Sequence, residues 1–306
     1  MPASVRQQVQ IKQRDRGFDE ATMVESFVVL NAVGGECLDD FQQLREDAGL
    51  KEMLGHEMPS PEAARQFLNR FHSEAKLEQA REQRKPEQIA FIPEEADELS
   101  GLGEVNRELV RELGRRCPDQ RIATVDQDAT IIESHKQQAL RTYEGERDYQ
   151  PMLAVWAEMD VVLADEFRDG SPRRLPAMMA PLAVASFYYR GDSASHEKEL
   201  LGWLRDDRRA DGPQGRIGFA ISARMSEALH QAILQIPEAG WTLYGKADGK
   251  EIRECSEVDF VPGEKTEQKD AQPLRYVAIR IRPRQEELFA DGSRVKHIAV
   301  VSNIWE

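Results

Sequence analysis

The chain has 306 residues and a formal net charge of −14, from 41 Lys and Arg against 55 Asp and Glu. This acidic balance argues against a protein that binds nucleic acid by bulk charge, so any DNA contact would need a local basic surface or metal ions held in a site. At the usual ~100–200 residues per domain, the length predicts two units or three.

Cysteine usage and the lack of long apolar runs predict the compartment. Cys37, Cys117 and Cys255 lie far apart and form no CxxC pair, which is typical of reduced thiols rather than of a zinc module or a disulfide framework. No signal peptide begins the sequence, and no apolar run approaches the ~18 residues of a membrane span. We therefore expect a soluble, cytoplasmic protein that does not bind a membrane.

Residues 1–85 are predicted to form a helical N-terminal region. Apolar residues recur at helical spacing across 23–33, and Ser60 followed by Pro61 is a typical helix start. Short helices with a proline-led last member are compatible with a helix-turn-helix that binds DNA ends, and a plain helical bundle is the alternative. The charged, helix-prone stretch 73–85 then predicts a solvated linker.

Residues 86–236 are predicted to form an α/β core. A helix at 94–116 precedes a strand that begins at Ile122 and continues past Asp126 and Asp128. Further strands are predicted at 149–157, 161–167, 186–192 and 216–222, with a helix at 197–206. Three successive antiparallel strands with acids on the first are an ordering seen in ribonuclease H-like mixed sheets.

The acids of this core are the candidate site. Asp126 and Asp128 alternate with Gln127, so an extended strand carries both on one face. Asp192 ends the fourth predicted strand, at the edge where ligands of open α/β sheets collect. Like charges on a central strand are tolerated where Mg²⁺ or Mn²⁺ neutralises them, and two-metal phosphoryl transfer uses carboxylates from separate strands. The alternative is an edge strand with solvated aspartates. Arg190 is expected either to pair with a carboxylate or to contact phosphate.

Residues 237–306 are predicted to form a β-rich insertion. Short strands are expected at 241–244, 257–261, 275–281 and 296–302, joined by turns at 248–249, 262–263 and 291–292. Arginines are concentrated here against the acidic average: Arg275, Arg280, Arg282, Arg284 and Arg294. They predict either a solvated face or a contact with a DNA backbone.

Several stretches resemble one known family. They are TVDQDATIIESHKQQALRTYEG, YQPMLAVWAE, RGDSASHEKELLGWL, IGFAISARMSEAL and RYVAIRIRPRQ, with GFDEATMVES and MPSPEAARQFLNRF upstream. Over nearly its whole length the chain is similar to the DDE transposases of bacterial insertion sequences, specifically insertion-sequence family 1380. The resemblance implies a ribonuclease H-like domain that cuts and rejoins transposon ends with magnesium. Its expected partners are double-stranded DNA carrying inverted-repeat ends and further copies of the chain, as a homo-oligomer.

The resemblance also implies which acids act. The first family aspartate falls on the Asp126/Asp128 pair and the second on Asp192. Asp128 is followed by Ala129 and Thr130, which resembles the family's D-x-T. Asp128 is therefore the first choice as metal ligand, with Asp126 as a second ligand or support.

Two departures from the family predict an impaired enzyme. The third carboxylate, a glutamate on a helix, is expected beyond VVSNIW, and Glu306 does not match that helix. Only 170–185 separates the third strand from the fourth, and Pro172, Pro176 and Pro181 interrupt it, so a helical crossover of about a dozen residues is hard to fit. We expect a truncated transposase with an internal deletion and at most weak metal binding.

Two other functions fit parts of the sequence. A hydrophobic strand followed by D-x-D-x-T is also typical of haloacid-dehalogenase-like phosphatases, in which Asp126 would be the nucleophile and Asp128 the general acid. That fold needs a helix soon after the motif and a lysine before the later acid, but a β-hairpin is predicted here and no lysine occurs between Lys136 and Lys198. The third hypothesis is a non-catalytic, DNA-binding transposase fragment.

Overall fold

The computed structural model describes residues 1–11, 17–83, 96–129, 132–133, 140–141, 147–149, 151–166, 175–244, 251–262, 274–283, 289 and 293–305. The chain divides into two compact units. One comprises Met1–Arg116 with Glu133–Tyr149, and the other comprises Cys117–Ile132 with Gln150–Glu306. Within the described ranges, no helix has both the length and the apolar character needed to cross a membrane.

The first unit is built mainly of helices. They are α1 Pro2–Gln8, α2 Glu20–Ala32, α3 Phe41–Glu46, α4 Ala48–Leu54, α5 Pro61–Asn69, α6 Glu74–Gln83 and α7 Asp97–Arg116. Capping explains two of the starts: the Asp19 carboxylate accepts a hydrogen bond from the Thr22 N–H (2.8 Å), and the Ser60 hydroxyl accepts one from the Ala63 N–H (3.1 Å). Pro61 lies in the first turn of α5, so the proline-led helix is confirmed.

Aromatic side chains form the centre of this helical core. Phe27 on α2 lies edge-on to Phe41, with 5.3 Å between ring centroids, and stacks on Phe67 of α5 at 6.0 Å. The sequence did not predict α1, which packs closely on α7. That approach depends on Gly101, because a Cβ there would collide with the Gln8 carbonyl oxygen.

The second unit is organised on a nine-stranded mixed sheet. The strands found in the described ranges are β1 Ile122–Ala129, β2 Ile132–Glu133, β3 Leu140–Arg141, β4 Arg147–Tyr149, β5 Met152–Trp156, β6 Val161–Glu166, β7 Ser186–Gly191, β8 Ile217–Ser222, β9 Thr242–Leu243, β10 Glu251–Val258, β11 Arg275–Pro283 and β12 Lys296–Ser302. The large sheet has the order β6-β5-β1-β7-β8-β12-β11-β10-β9, and β2-β4-β3 form a separate small sheet. β7 is parallel to β1 and to β8, whereas the other pairs of the large sheet are antiparallel.

Side-chain alternation gives the large sheet two unlike faces. On β1, Ala123 and Val125 are fully buried, while Asp126 and Asp128 lie on the opposite, open face. Buried side chains of the neighbouring strands continue the covered face: Trp156, Tyr189, Phe219, Ile221, Ala299 and Val301. Three helices accompany the sheet: α8 Leu175–Met179, α9 Lys198–Arg205 and α10 Glu227–Leu234. The mixed α/β class predicted from the sequence is therefore confirmed at that level.

The C-terminal strands continue the sheet that carries the acids. β12 pairs with β8, and β11, β10 and β9 follow it outward. The strand predicted at 257–261 is wrong in its bounds, because β10 spans Glu251–Val258. The predicted turns at 248–249, 262–263 and 291–292, and Arg284, involve residues outside the described ranges. The domain boundaries at 85/86 and 236/237 stay predictions, and the first falls within 84–95, also outside those ranges.

A short helix lies in the connection from β6 to β7. α8 has Pro176 in its first turn, where the missing N–H costs no hydrogen bond, and Leu175 and Met179 are each only 1% exposed. The connection thus contains five helical residues, fewer than the helical crossover of about a dozen that the sequence makes hard to fit there. The internal deletion itself stays a prediction.

A buried arginine organises the loop that leads into β8. Arg209 is 2% exposed, and its guanidinium lies 5.1 Å from the Trp203 ring. The guanidinium donates hydrogen bonds to four backbone carbonyl groups: those of Trp203, Leu204, Pro213 and Gly215. A planar fork of donors can satisfy several acceptors at once, which the single ammonium of lysine cannot do.

Arg209→Lys should therefore lower the free energy of unfolding by about 2–4 kcal/mol, because carbonyl groups lose their donors and the charge stays buried. Urea denaturation followed by tryptophan fluorescence measures the change. Arg208→Lys, at the exposed neighbouring position, is the matched control and should change stability by less than ~0.5 kcal/mol. Equal stabilities of the two variants would contradict this role of Arg209.

Candidate functional site

β1 carries two of the predicted acids through the interior of the sheet. Its register pairs Asp126 with Val155 and Asp128 with Leu153 of β5. Gln127 between them is buried, so both carboxylates lie on the open face, as the alternation predicted. Because β1 is paired on both sides, the alternative of an edge strand is wrong.

Asp192 directly follows β7. The pairing of β1 with β7 ends at Gln127 opposite Gly191, one residue before Asp128 on one strand and Asp192 on the other. The Asp192 backbone is still extended, and its Oδ1 atom accepts a hydrogen bond (3.0 Å) from the Ala194 N–H in the 3-10 turn that follows. This bond orients the carboxylate at the carboxyl end of β7.

Arg190 pairs with one of the acids. Its Nη2 atom lies 2.6 Å from Oδ2 of Asp126, its direct neighbour across the parallel pair. Of the two roles expected for Arg190, the pairing with a carboxylate is the one observed. Both side chains are about half exposed, so the pair contributes at most ~1 kcal/mol to stability. Its consequence is local, because it offsets one of the negative charges on the open face.

A further acid, Glu158, which the sequence analysis did not single out, faces the start of β1. Thr124 donates two hydrogen bonds to the Glu158 carboxylate, from its hydroxyl (2.5 Å) and from its backbone N–H (2.8 Å). Burial acts to raise the pKa of Glu158, but the bonds from Thr124 outweigh it, and the pKa is lowered. Glu158 is therefore held as a carboxylate by local donors, in the turn between β5 and β6.

Beneath the acids, the covered face holds buried polar side chains. The Tyr189 hydroxyl lies 2.8 Å from Gln127 Oε1 and 3.0 Å from Ser195 Oγ. Burial raises the pKa of Tyr189 to about 12, and the charges of Asp192 and Asp126 act in the same direction. The alternation on β1 could have shown that Gln127 points inward and needs a partner, but not which residue supplies it.

Arg224 holds the turn after Asp192 from another side. Its guanidinium donates to the carbonyl groups of Ser193 (3.0 Å) and Ala194 (3.3 Å), and its backbone N–H donates to Nδ1 of His196 (2.9 Å). Burial and the nearby Arg224 charge lower the pKa of His196, so the ring is neutral with its proton on Nε2. The turn that follows Asp192 is therefore fixed by donors from the loop after β8.

The acids do not form a ready three-ligand metal centre. Among the residues that the structure describes, no three His, Cys, Asp or Glu side chains form a group able to hold a metal ion. Asp126, Asp128 and Asp192 supply the oxygen donors that Mg²⁺ and Mn²⁺ prefer, from two adjacent strands. Their roles as ligands and in catalysis stay predictions.

Most of the arginine cluster predicted near the C-terminus is engaged by carboxylates. Arg280, 8% exposed, and Arg282 each donate to Glu254 at 2.9 Å, and Arg275 donates to Glu257 at 2.9 Å. The charge of these three arginines is thus offset within the sheet. A DNA-backbone contact through them is not supported.

Thr124→Val should raise the pKa of Glu158, since the hydroxyl bond is lost while the backbone bond remains. Carboxyl ¹³C NMR measures this pKa. Because the folded-state pKa lies below the unfolded-state value, the stabilising contribution is present above the unfolded-state pKa and is lost as pH falls through the folded-state pKa. The variant should therefore lose less stability than the wild type on acidification. Thr242→Val on β9 is the control, and an equal Glu158 pKa in both variants would contradict the assignment.

Comparison with known proteins gives only distant likeness. No protein-family model matches the sequence, and no curated protein matches it. The structure is similar to that of a piggyBac transposase synaptic complex with hairpin DNA, at 10% identity over 97% of this chain and 56% of that one, with a TM-score of 0.39. It is also similar to a Mos1 transposase paired-end complex with the left transposon end, at 14% identity over 63% of this chain and 59% of that one, with a TM-score of 0.16. The chain thus spans less than two thirds of either protein, and at these TM-scores the likeness defines neither fold nor function.

Proposed function

We propose that the chain is a DDE transposase of the insertion-sequence family 1380 type, which cleaves and transfers DNA strands at insertion-sequence ends with impaired activity. The observation that carries the proposal is the arrangement of the acids. Two lie on the open face of β1, inside the sheet, and Asp192 lies where the adjacent parallel strand ends. Carboxylates that converge from separate strands are the ligands of metal-dependent phosphoryl transfer.

A ribonuclease H-like core is part of this proposal. The strand order β6-β5-β1-β7-β8 supports it: β1, β5 and β6 are successive antiparallel strands, and β7 and β8 run parallel to β1. In chain order, Asp126 and Asp128 lie on the first of these strands, β1, and Asp192 directly follows the fourth, β7. β9–β12 would then be the insertion, which extends the same sheet. The proposed partners are double-stranded DNA with inverted-repeat ends and further copies of the chain.

Asp128 and Asp192 would hold Mg²⁺ or Mn²⁺, with Asp126 as a second ligand or support. When bound, such ions supply activation of the attacking oxygen and stabilisation of the leaving oxygen. The Ala194 N–H orients Asp192, and Arg190 offsets part of the like charge by pairing with Asp126. Because Arg190 also competes for Asp126, the arrangement favours weak metal binding and impaired activity.

The phosphatase alternative loses support from the chain after β1. Where that fold needs a helix, the described residues form the short strands β2, β3 and β4. We therefore propose no phosphatase activity. The non-catalytic, DNA-binding fragment stays an alternative, which metal binding and strand cleavage distinguish from the enzyme.

Calorimetric titration with Mn²⁺ tests the proposed site. We expect the wild type to bind Mn²⁺, and Asp128→Asn and Asp192→Asn each to weaken binding by at least about tenfold, since each removes a charged oxygen ligand. Asp126→Asn should weaken binding less, because Arg190 already engages that carboxylate. Asp259→Asn, at an exposed position beyond β10, is the control and should bind as the wild type does.

Strand cleavage is measured on duplex DNA that carries the inverted repeats of the encoding element. We expect slow nicking with Mn²⁺ or Mg²⁺ that EDTA and Asp128→Asn both abolish and Asp259→Asn leaves unchanged. DNA binding without nicking, unaffected by Mn²⁺, would instead identify the non-catalytic fragment. A wild type that does not bind Mn²⁺, or equal binding by all four variants, would overturn the proposed site.

A further inference from the structure

A single buried hydroxyl group joins the two strands that carry the acids. Tyr189 is fully buried, and its partners Gln127 and Ser195 are only 6% and 7% exposed. A phenol has one proton, and the amide oxygen of Gln127 can only accept, so the Tyr189 hydroxyl donates to Gln127 and accepts the proton of Ser195. Both hydrogen-bonding capacities of the hydroxyl are therefore used within the protein.

The three residues occupy the positions that set the spacing of the acids. Gln127 lies between Asp126 and Asp128 on β1, so its side chain fixes that strand from the covered face. Ser195 ends the 3-10 turn that Asp192 begins. The bonds of Tyr189 thus connect the backbone beside Asp128 to the backbone beside Asp192.

Packing around Gly191 shows how little room this connection has. A Cβ on Gly191 would lie 2.6 Å from the Ser195 hydroxyl oxygen and 3.0 Å from the Tyr189 hydroxyl oxygen. The Ser195 side-chain atoms lie closer than real Cβ contacts allow, so the Ser195 side chain or the turn that carries it would have to shift if a side chain stood at 191. Arg224 holds the same turn through the Ser193 and Ala194 carbonyl groups, which leaves it little freedom to adjust.

We propose that Tyr189 is a positioning residue that fixes the Asp192 carboxylate relative to Asp128 for a shared divalent cation. This inference rests on the proposed function, because it assigns Tyr189 to the same metal site. A purely structural hydroxyl would satisfy buried partners and affect stability alone. A positioning hydroxyl also affects the affinity for the cation, since supporting residues around a metal site typically change affinity by 10–100-fold when removed.

Tyr189→Phe keeps the ring and removes only the hydroxyl. We expect it to bind Mn²⁺ about tenfold more weakly than the wild type in calorimetry, at the lower end of that range because Tyr189 acts through the backbone. Tyr276→Phe is the matched control, because Tyr276 is 2% exposed and lies on β11 of the same sheet. Its ring lies 6.5 Å from the His196 ring, between centroids, and the phenylalanine variant keeps this ring contact while it loses the hydroxyl. It should leave Mn²⁺ affinity unchanged even if its melting temperature falls.

Ser195→Ala provides a second, milder variant, which keeps the bond between Tyr189 and Gln127. We expect its loss of Mn²⁺ affinity to be smaller than that of Tyr189→Phe. The fold-loss of affinity in the double variant Tyr189→Phe/Ser195→Ala should be smaller than the product of the two single fold-losses, because both changes break one network. If Tyr189→Phe does not fold, the comparison of Ser195→Ala with Tyr276→Phe decides the question.

The outcomes separate this inference from the proposed function. A wild type that does not bind Mn²⁺ overturns both. In a second outcome, Mn²⁺ binding depends on Asp128 and Asp192, but Tyr189→Phe and Ser195→Ala bind Mn²⁺ as tightly as the wild type. This result overturns the positioning role and leaves the metal site intact. A lower melting temperature for Tyr189→Phe with unchanged affinity likewise reduces Tyr189 to a structural residue.

Discussion

The parallel pairing of β1 with β7 is the constraint on which the whole site depends. Residues 122–127 pair with 186–191 in one register, with Val125 and Tyr189 both fully buried at its centre. A slip of one residue would turn the acids of β1 onto the covered face, since side chains alternate. A slip of two would keep their face but separate Asp126 from Arg190. Burial of the covered face therefore specifies the register, and the register specifies the chemistry of the open face.

The open face concentrates negative charge, and local donors offset it in different ways. Asp126 has the guanidinium of Arg190, and Asp192 has the Ala194 N–H. Asp128 also has a partner within the protein, and because it is exposed, water screens its charge as well. These arrangements explain how like charges persist on an interior strand without burial. A divalent cation binds carboxylates in their ionised form.

Features encoded in local periodicity could be predicted, and features that depend on distant partners could not. The alternation around Gln127 placed Asp126 and Asp128 on one face correctly, because a strand's period of two is a local property. The partners of Gln127 and of Arg280 depend on which strands pair and in which register, and no local pattern contains that information. Glycine has a low helix propensity, and the sequence alone gave no reason for Gly101 inside α7, where it permits the close approach of α1. Continuation of the sheet through 237–306 was missed for the same reason as the pairings.

The distribution of arginines limits how an acidic chain could approach DNA. In the described residues, Arg280 and Arg282 are held by Glu254 inside the sheet, so their charge is not presented outward as a patch. Among the described residues, Arg190 of β7 pairs with Asp126, and Arg224 in the loop after β8 binds the turn that follows Asp192. Divalent cations at the open face would add positive charge, so the proposed metal site and the proposed DNA contact at this face would depend on one another.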